Sequence, residues 1–329
     1  MNNILSRWLK CVSIAIALTM FAGGAARAAE TVVVYNAIGT ETMQAFVDAF
    51  QTLHPDVKVQ VISGGSGELI TRIKAESGNP QGDVLVGPDA DNFDAMIDLF
   101  EGYKSKEDAA FGKGTAHPDH KYYGFSMNFQ AFIVNTKMMP VESAPKSWAD
   151  LAKPDYKGKI MMANPAQSGS AYSQMHQILM LYGWDMMQKV IPNAIFVPSS
   201  KLAYQNVAKG EFPVGLTSEF NILKSKLEGF PVEAVYPSDG TAQIIDASGI
   251  IKGAPHLENA KLFLDYINSK PAHELLVSTD KRRSARADVA PPPGLAPIDG
   301  IKTFPYDSVG AARDHAKDLE LFDKYFASK

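Results

Sequence analysis

The sequence predicts an α/β fold in which mainly parallel sheets are covered by helices. The first observation is residues 31–36, Thr-Val-Val-Val-Tyr-Asn, an unbroken run of the kind found in strands that are buried on both faces. The second is that such runs alternate with segments whose apolar residues recur at helical spacing. Strands and helices that alternate through short loops favour a parallel sheet with helices on its faces.

The first unit contains three predicted strands, residues 31–36, 57–62 and 83–86. A helix with Thr40 as its N-cap is predicted after the first strand, and a helix over residues 68–77 after the second. Ligands of parallel sheets bind beyond the carboxyl ends of the strands. We therefore expect the loops after these three strands to share one edge of a site.

A long strand and a second unit follow. Residues 99–120 are charged and glycine-containing, which predicts a solvated connection. Residues 122–135 are rich in aromatic and β-branched side chains and predict a strand long enough to pass from one lobe into another. The second unit repeats the order of the first, with strands at residues 159–163, 194–197 and 212–217 and helices that begin near Ser168 and Ser200.

The remaining chain predicts a return to the first unit. Strands are predicted at residues 232–237, 242–245 and 248–251, and a strongly periodic helix begins at His256. Arg282, Arg283 and the proline run at residues 291–293 indicate an exposed connection. Terminal helices are predicted from Tyr306 onwards.

The first residues have the pattern of a secretory signal peptide. Arg7 and Lys10 precede an apolar run over residues 12–21, and small residues end at Ala28, after which we expect cleavage. The apolar run is too short to span a bilayer comfortably, and no later segment reaches about 20 apolar residues, so we expect a soluble mature protein. The single cysteine, Cys11, lies within this segment, which leaves the mature chain no disulfide or thiolate metal site.

The charge of the chain bears on its partners. Removal of residues 1–28 takes away three positive charges and no negative ones, which changes the net charge from −4 to −7. This charge argues against a nucleic-acid partner or an anionic membrane surface.

Two similar turns carry the prediction of a site. Residues 64–68, Gly-Gly-Ser-Gly-Glu, and residues 167–171, Gln-Ser-Gly-Ser-Ala, each follow a strand pattern and open a helix. Glycine allows the backbone to approach a ligand closely, and the free N–H groups of a helix start favour an anion. The alternative for either turn is a loop that packs and binds nothing.

Seven features resemble the extracellular solute-binding proteins of bacterial ABC importers, in the branch that contains ferric-ion, phosphonate and hexose-phosphate binders. They are the signal peptide, Val-Val-Val-Tyr-Asn at 32–36, Gly-Ser-Gly-Glu-Leu at 65–69, Gly-Asp-Val at 82–84, Lys-Gly-Lys-Ile at 157–160 with Asn164-Pro165, Ala-Lys-Gly-Glu at 208–211 and Tyr-Pro-Ser-Asp-Gly-Thr at 236–241. The resemblance covers nearly all of the chain after the signal peptide.

The resemblance implies a type II periplasmic binding protein, in which two lobes joined by two hinge strands close around a ligand. We expect lobe 1 to comprise residues 29–126 and 248–285, and lobe 2 residues 127–247 and 286–329. The crossings are expected near residues 125–135 and 237–247. The resemblance also implies a periplasmic protein without a cofactor or catalytic residues, whose partners are a small ligand and an inner-membrane ABC permease. We expect a monomer.

The resemblance also allows the ligand to be considered. Ferric binders of this family use a histidine in the first loop, a glutamate after the third strand and adjacent tyrosines in the second lobe. The corresponding positions here are Gly39, Asp89 and residues 218–220, Ser-Glu-Phe, so the histidine and the phenolate ligands that ferric ion needs are missing. Iron held with a synergistic anion is the alternative to a small anionic organic ligand, either a sugar phosphate or a phosphonate.

Small polar residues at the helix starts of both lobes form the predicted ligand site, and either lobe could supply the phosphate site. Ser200 and Glu219 are expected at the organic part of the ligand. The residues predicted at the anion are Thr40, Ser66, Gly67, Ser168, Gly169 and Ser170, and Gly39, Gly65, Asp89, Gln167 and Thr217 complete the predicted site.

Two other functions use similar turns. An exported phosphate-ester hydrolase needs a nucleophile, a metal cluster or an acid–base pair, and the sequence contains no Gly-x-Ser-x-Gly or His-Glu-x-x-His motif. A sensor or adhesion protein is the second alternative, because any membrane partner can recognise a pair of binding lobes.

Overall fold

The strands and helices alternate along most of the chain. The computed structural model describes residues 30–112 and 114–328, with the side chain of Ser308 excepted, so the predicted signal peptide lies outside the described residues. The strands are β1 (Glu30–Asn36), β2 (Val57–Ser63), β3 (Val84–Asp89), β4 (Tyr123–Asn135), β5 (Ile160–Ala163), β6 (Ala194–Val197), β7 (Val214–Ser218), β8 (Val232–Val235), β9 (Thr241–Ile250), β10 (Arg283–Ser284) and β11 (Thr303–Phe304).

The α-helices cover the sheet. They are α1 (Thr40–Leu53), α2 (Ser66–Ala75), α3 (Ala90–Asp94), α4 (Gly169–Val190), α5 (Ser200–Ala208), α6 (Glu219–Leu227), α7 (Leu257–Ile267), α8 (Lys270–Asp280) and α9 (Ser308–Ala327). Short 3-10 helices lie at Ile97–Leu99, Asp108–Ala110, Val141–Ser143, Ala149–Ala152, Pro154–Tyr156, Ile191–Asn193 and Ile298–Gly300. Among the described residues, no helix has the length and apolarity that crossing a membrane requires.

The buried apolar side chains form two groups. One group draws on β1–β3, α1–α3 and α7–α8, and we call this part of the molecule the first half. There Phe50 of α1 packs against Phe263 and Tyr266 of α7, with ring centroids 5.1 and 5.4 Å apart. The other group draws on β5–β8, α4–α6 and α9, and we call it the second half. There Trp148 meets the Phe132 ring edge to face at 5.3 Å.

The sheet order explains this division. The strands follow the order β2-β1-β3-β9-β4-β7-β5-β6. β1 pairs with β3 in parallel, and β5 pairs in parallel with β6 and β7. Antiparallel strands β4 and β9 lie between these parallel sets, so each half combines parallel strands with antiparallel long strands.

β4 is the strand that links the halves, as its predicted length indicated. Its residues from Tyr123 to Phe129 pair with β9, and those from Gln130 onwards pair with β7 and β8. β9 is one strand where the sequence predicted two. Asp246 interrupts its apolar pattern but is buried and hydrogen-bonded to Ser126 at 2.5 Å, so the strand continues through the charged residue.

Several predicted boundaries differ from the structure. β7 runs over Val214–Ser218 and not over residues 212–217, and β8 ends at Val235 and not at residue 237. Gly39, not Thr40, occupies the N-cap position of α1, and no side chain caps this helix. α2 begins at Ser66, two residues before its predicted start. β3 continues to Asp89 because, after a register shift, Asp89 pairs with Asp246 of β9. Gly87 permits this shift. Its φ of +105° is strained for any other residue, and a Cβ at this position would lie only 2.5 Å from Cγ2 of Ile38.

Candidate functional site

Three serine hydroxyls meet at the starts of α4 and α5, and we call Ser168, Ser170 and Ser200 the serine cradle. The Ser170 and Ser200 oxygens are 2.6 Å apart, Ser168 and Ser200 are 2.7 Å apart, and Ser168 and Ser170 are 3.2 Å apart. All three residues are partly exposed. Each hydroxyl can rotate to donate to an anion, and the first N–H groups of both helices lack partners within their helix. The arrangement is therefore suited to an oxyanion.

The local sequence explains why the two helix starts converge. β5 and β6 are parallel neighbours, and the Asn164 N–H donates to the Val197 carbonyl at 2.8 Å, which joins the two strand ends. Ser168 caps α4 by accepting from the Ala171 N–H at 3.4 Å. Ser199 caps α5 in the same way. Ser170 and Ser200 lie inside their helices and have no capping role, and their hydroxyls hydrogen-bond to each other and to Ser168.

The predicted residues of the first half lie at a second pair of helix starts. Gly39 and Gly65 are the N-cap residues of α1 and α2. Asn36 joins the two loops, because its side chain donates to Ser63 Oγ at 3.0 Å and its carbonyl accepts from the Gly64 N–H at 3.1 Å. Thr40, Ser66 and Gly67 lie in the first turns of these helices, and all three are at least partly exposed.

One hydrogen bond joins the edges of the two halves. Ser173, one turn into α4, donates to Asp89 at the end of β3 over 3.2 Å. This contact brings the loop end of β3 close to the helix whose start carries the serine cradle. Burial, together with the charges of Asp91 and Asp246, raises the pKa of Asp89 well above its usual range. The raised pKa makes Asp89 easier to protonate than an aspartate in water.

The hinge side of the site contains a buried polar network that the sequence analysis missed. Asp246 accepts from Ser126 and from Arg282, each at 2.5 Å. Arg282 also donates to Asp280 at 2.6 Å and stacks over the Phe220 ring at 4.0 Å. The prediction that Arg282 and Arg283 lie in an exposed connection is wrong: both side chains are largely buried, with Arg283 only 2% exposed. The two arginines are buried because each pairs with a buried carboxylate that is tens of residues away in the chain, Asp246 for Arg282 and Glu219 for Arg283.

Glu219 lies in a second buried pair. Arg283 donates to both Glu219 oxygens, at 2.7 and 2.9 Å, and the Tyr236 hydroxyl donates to Glu219 at 2.5 Å. Both carboxylate oxygens are thus engaged by the protein itself. A groove of about 310 Å³ lies beside this pair, between α6, β8 and residues 294–296, and its wall includes Glu219 and Tyr236.

The remaining predicted residues differ in exposure. Thr217 is buried in β7, where its hydroxyl accepts from the Asn221 side chain at 2.9 Å. Gln167 and Gly169 flank Ser168 and are exposed. Within the described residues, no group of three or more histidine, cysteine, aspartate or glutamate side chains is arranged to hold a metal ion.

Comparison with known proteins identifies the family and fold. Residues 31–279 match the family model described as bacterial extracellular solute-binding protein. A protein of Haemophilus influenzae is 31% identical over 278 residues, 79% of each chain. A Salmonella typhi protein named as a 2-aminoethylphosphonate-binding periplasmic protein is 28% identical over 313 residues, 87% of this chain and 88% of that one. Iron uptake protein A1 of Synechocystis is 24% identical over 295 residues, 79% and 78% of the two chains.

Among solved structures, the periplasmic binding protein AfuA of Actinobacillus pleuropneumoniae, with fructose-6-phosphate bound, superposes with a TM-score of 0.80. It is 27% identical and covers 88% of this chain and 96% of its own. The predicted α/β, two-lobe type II fold is confirmed by this similarity. The named relatives among these matches are binding and uptake proteins.

Proposed function

Because the chain belongs to the bacterial extracellular solute-binding proteins, we propose that it captures a small organic ligand carrying a phosphate or phosphonate group and presents it to an ABC permease. The lobes close on the ligand by hinge motion, and no chemistry is performed on it. The mature protein begins after Ala28, acts in the periplasm as a monomer and binds no nucleic acid.

The serine cradle is the observation that carries this proposal. Three hydroxyls from two helix starts lie within 3.2 Å of one another, so that one small anion can contact all three. Charge-assisted hydrogen bonds to an oxyanion are about twice as strong as neutral ones. The positive ends of two helix dipoles add to the attraction. The cradle therefore favours an anion over a neutral solute.

The rest of the ligand extends from the cradle toward the first half. The helix starts at Gly39, Thr40, Gly65, Ser66 and Gly67 form the opposite wall, and Asp89 faces α4 from the end of β3. Gln167 and Gly169 frame the cradle. Ser200 contacts the anion rather than the organic part, since its hydroxyl lies against those of Ser168 and Ser170. Thr217 and Glu219 support the residues of the site and do not contact the ligand, because both are buried and already hydrogen-bonded.

The names of two relatives support this ligand class. One is named for 2-aminoethylphosphonate and the other contains fructose-6-phosphate, and both are at least 27% identical to this chain. Their shared chemistry is a tetrahedral phosphorus oxyanion on a small polar organic group. Ferric ion remains the alternative because Iron uptake protein A1 is also a relative, and the test below includes it.

A thermal-shift panel on residues 29–329 tests the proposal. The compounds are 2-aminoethylphosphonate, fructose 6-phosphate, glucose 6-phosphate, inorganic phosphate and ferric citrate. We expect an organic phosphate or phosphonate to raise the melting temperature in proportion to the logarithm of its concentration. A rise with ferric ion and with none of the phosphorus compounds would overturn the proposed ligand class.

A further inference from the structure

Three carboxylates, Asp89, Asp91 and Asp246, lie where the two halves meet, and we call them the acid cluster. Asp89 and Asp246 are register partners on β3 and β9, and Asp91 lies in the first turn of α3. α3 belongs to the first half through Phe93, whereas the helix packed against it, α9, belongs to the second half through Phe322. Asp91 therefore lies at a contact between the two halves.

The acid cluster has little positive charge to balance it. Arg282 donates to Asp246 at 2.5 Å and also to Asp280 at 2.6 Å, and Asp280 pairs with Lys224 at 2.8 Å as well. Asp89 accepts from the hydroxyl of Ser173, which carries no charge. Most of the other titratable groups near the cluster are acids, tyrosines and histidines.

These groups come from every element packed around α3. α3 itself supplies Asp94, and the segments before β4 and α9 supply Tyr122 and Tyr306. α4 supplies Tyr172 and His176, and α9 supplies Asp314, His315 and Asp318, with Arg313 and Lys317 beside Asp314.

Burial acts on Asp89 and Asp91 while the halves are together. It raises the pKa of Asp91 to about 7, with further contributions from the charges of Asp94 and Asp246, and it also raises that of Asp89. An aspartate in water has a pKa of about 3.9. Asp91 is partly exposed in this structure. We expect its exposure to increase when the halves separate, so that its pKa falls toward that value.

We propose that closure of the two halves is coupled to proton uptake by Asp91 of the acid cluster, so that acidification of the periplasm favours the closed form. This device rests on the two-lobe fold and not on the identity of the ligand. The sign follows from linkage: a proton bound more tightly in the closed form stabilises that form at low pH and is lost as pH rises. For one proton, the ratio of closed to open molecules falls up to about tenfold per pH unit between pH 5 and 7.

Spin labels on the two halves test this coupling without any ligand. Residues 29–329 contain no cysteine, so Lys74→Cys on α2 and Lys201→Cys on α5 give two exposed labelling sites. Electron–electron double resonance at pH 5, 6, 7 and 8 then gives the fractions of short and long distances. We expect the short-distance fraction to fall from pH 5 to 7 and to level off above pH 7.

Asp91→Asn separates proton uptake from other effects of pH. The amide imitates the protonated acid, so we expect more of the closed form at pH 8 and a much weaker pH response than in the parent. Asp56→Asn, at an exposed site between α1 and β2, is the matched control and should behave as the parent. Distances that do not change with pH in the parent, or an equal pH response in Asp91→Asn, would overturn the coupling. Neither outcome depends on the ligand panel.

Discussion

The hydroxyl oxygens of Ser170 and Ser200 lie 2.6 Å apart although 30 residues separate them in the chain. Each residue lies in the first turn of a different helix, and the two helices follow neighbouring parallel strands. The pair is the part of the serine cradle that has no capping role. Substitutions at these two positions therefore report on ligand binding with little effect on helix stability.

Removal of one cradle hydroxyl is expected to weaken binding. Ser170→Ala or Ser200→Ala deletes one hydrogen bond to a charged group, which is worth about 1.5–3 kcal/mol and corresponds to a loss of affinity of roughly 10- to 100-fold. Calorimetric titration with the compound that gives the largest thermal shift measures the effect.

Ser199→Ala is the matched control for this prediction. Ser199 is adjacent to Ser200 and caps α5, so its loss should cost about 1 kcal/mol of stability with affinity retained. An affinity loss in Ser199→Ala as large as that in Ser200→Ala would contradict the special role of the cradle.

A carboxylate in the cradle is expected to abolish binding. Ser170→Asp or Ser168→Asp places a negative charge in the serine cradle, where we propose that the oxyanion binds, whereas Ser66→Asp places it at the start of α2 in the first half. We expect no measurable binding for the cradle variants and a smaller loss for Ser66→Asp. Ser278→Asp adds the same charge at an exposed site on α8 and should bind as the parent does. A larger loss at Ser66 than at Ser170 would assign the anion to the first half.

The Arg283–Glu219 pair is expected to stabilise the fold strongly. Both side chains are buried, at 2% and 1% exposure, so Arg283→Met leaves an unpaired buried carboxylate. Breaking such a pair typically costs about 3–5 kcal/mol. Urea unfolding measures this cost. The double variant Arg283→Met with Glu219→Leu removes both charges and should recover much of the loss; a double variant as unstable as the single one would show that packing, and not charge, dominates.

His273 is expected to destabilise the protein in acid. It is fully buried, with Nδ1 2.7 Å from Ser284 Oγ, and burial with the nearby charge of Arg286 lowers its pKa to about 3. As pH falls from 6.5 toward 3, the unfolded chain binds a proton that the folded chain does not. Stability is therefore lost at about 1.4 kcal/mol per pH unit in that window.

The variant His273→Leu isolates this contribution. Between pH 7 and pH 4.5 the parent should lose about 3 kcal/mol more unfolding free energy than the variant does. Urea unfolding at the two pH values gives this difference. An equal loss in both proteins would assign the acid sensitivity to other groups.

Local patterns predicted much of the fold. The β-branched run of β1, the apolar run of β5 and the long aromatic run of β4 lie within one residue of their predicted starts, because burial on both faces leaves a clear apolar signal. Both glycine–serine turns open helices as predicted. These features depend on residues that are close in the chain.

The buried charges could not be predicted in the same way. Arginine is usually exposed, so the local sequence around Arg283 indicates a surface position. Its partner Glu219 is 64 residues away in the chain, and the pairing of β10 with β4 places Arg283 beside it. A charged residue such as Asp246 predicts an interruption of the strand. The hydrogen bonds that allow its burial come from Ser126 and Arg282, which are distant in the chain. In the same way, no local signal in the sequence shows that the hydroxyl of Ser200 reaches that of Ser170.

The most direct test of the central claim compares matched ligands that differ in the phosphorus oxyanion. Calorimetric titration of residues 29–329 with 2-aminoethylphosphonate and β-alanine, and with fructose 6-phosphate and fructose, gives two such pairs. The serine cradle predicts that the phosphorus compound of at least one pair binds and that its partner without phosphorus does not. Equal binding within the pairs, or binding of ferric ion with neither phosphorus compound, would contradict it.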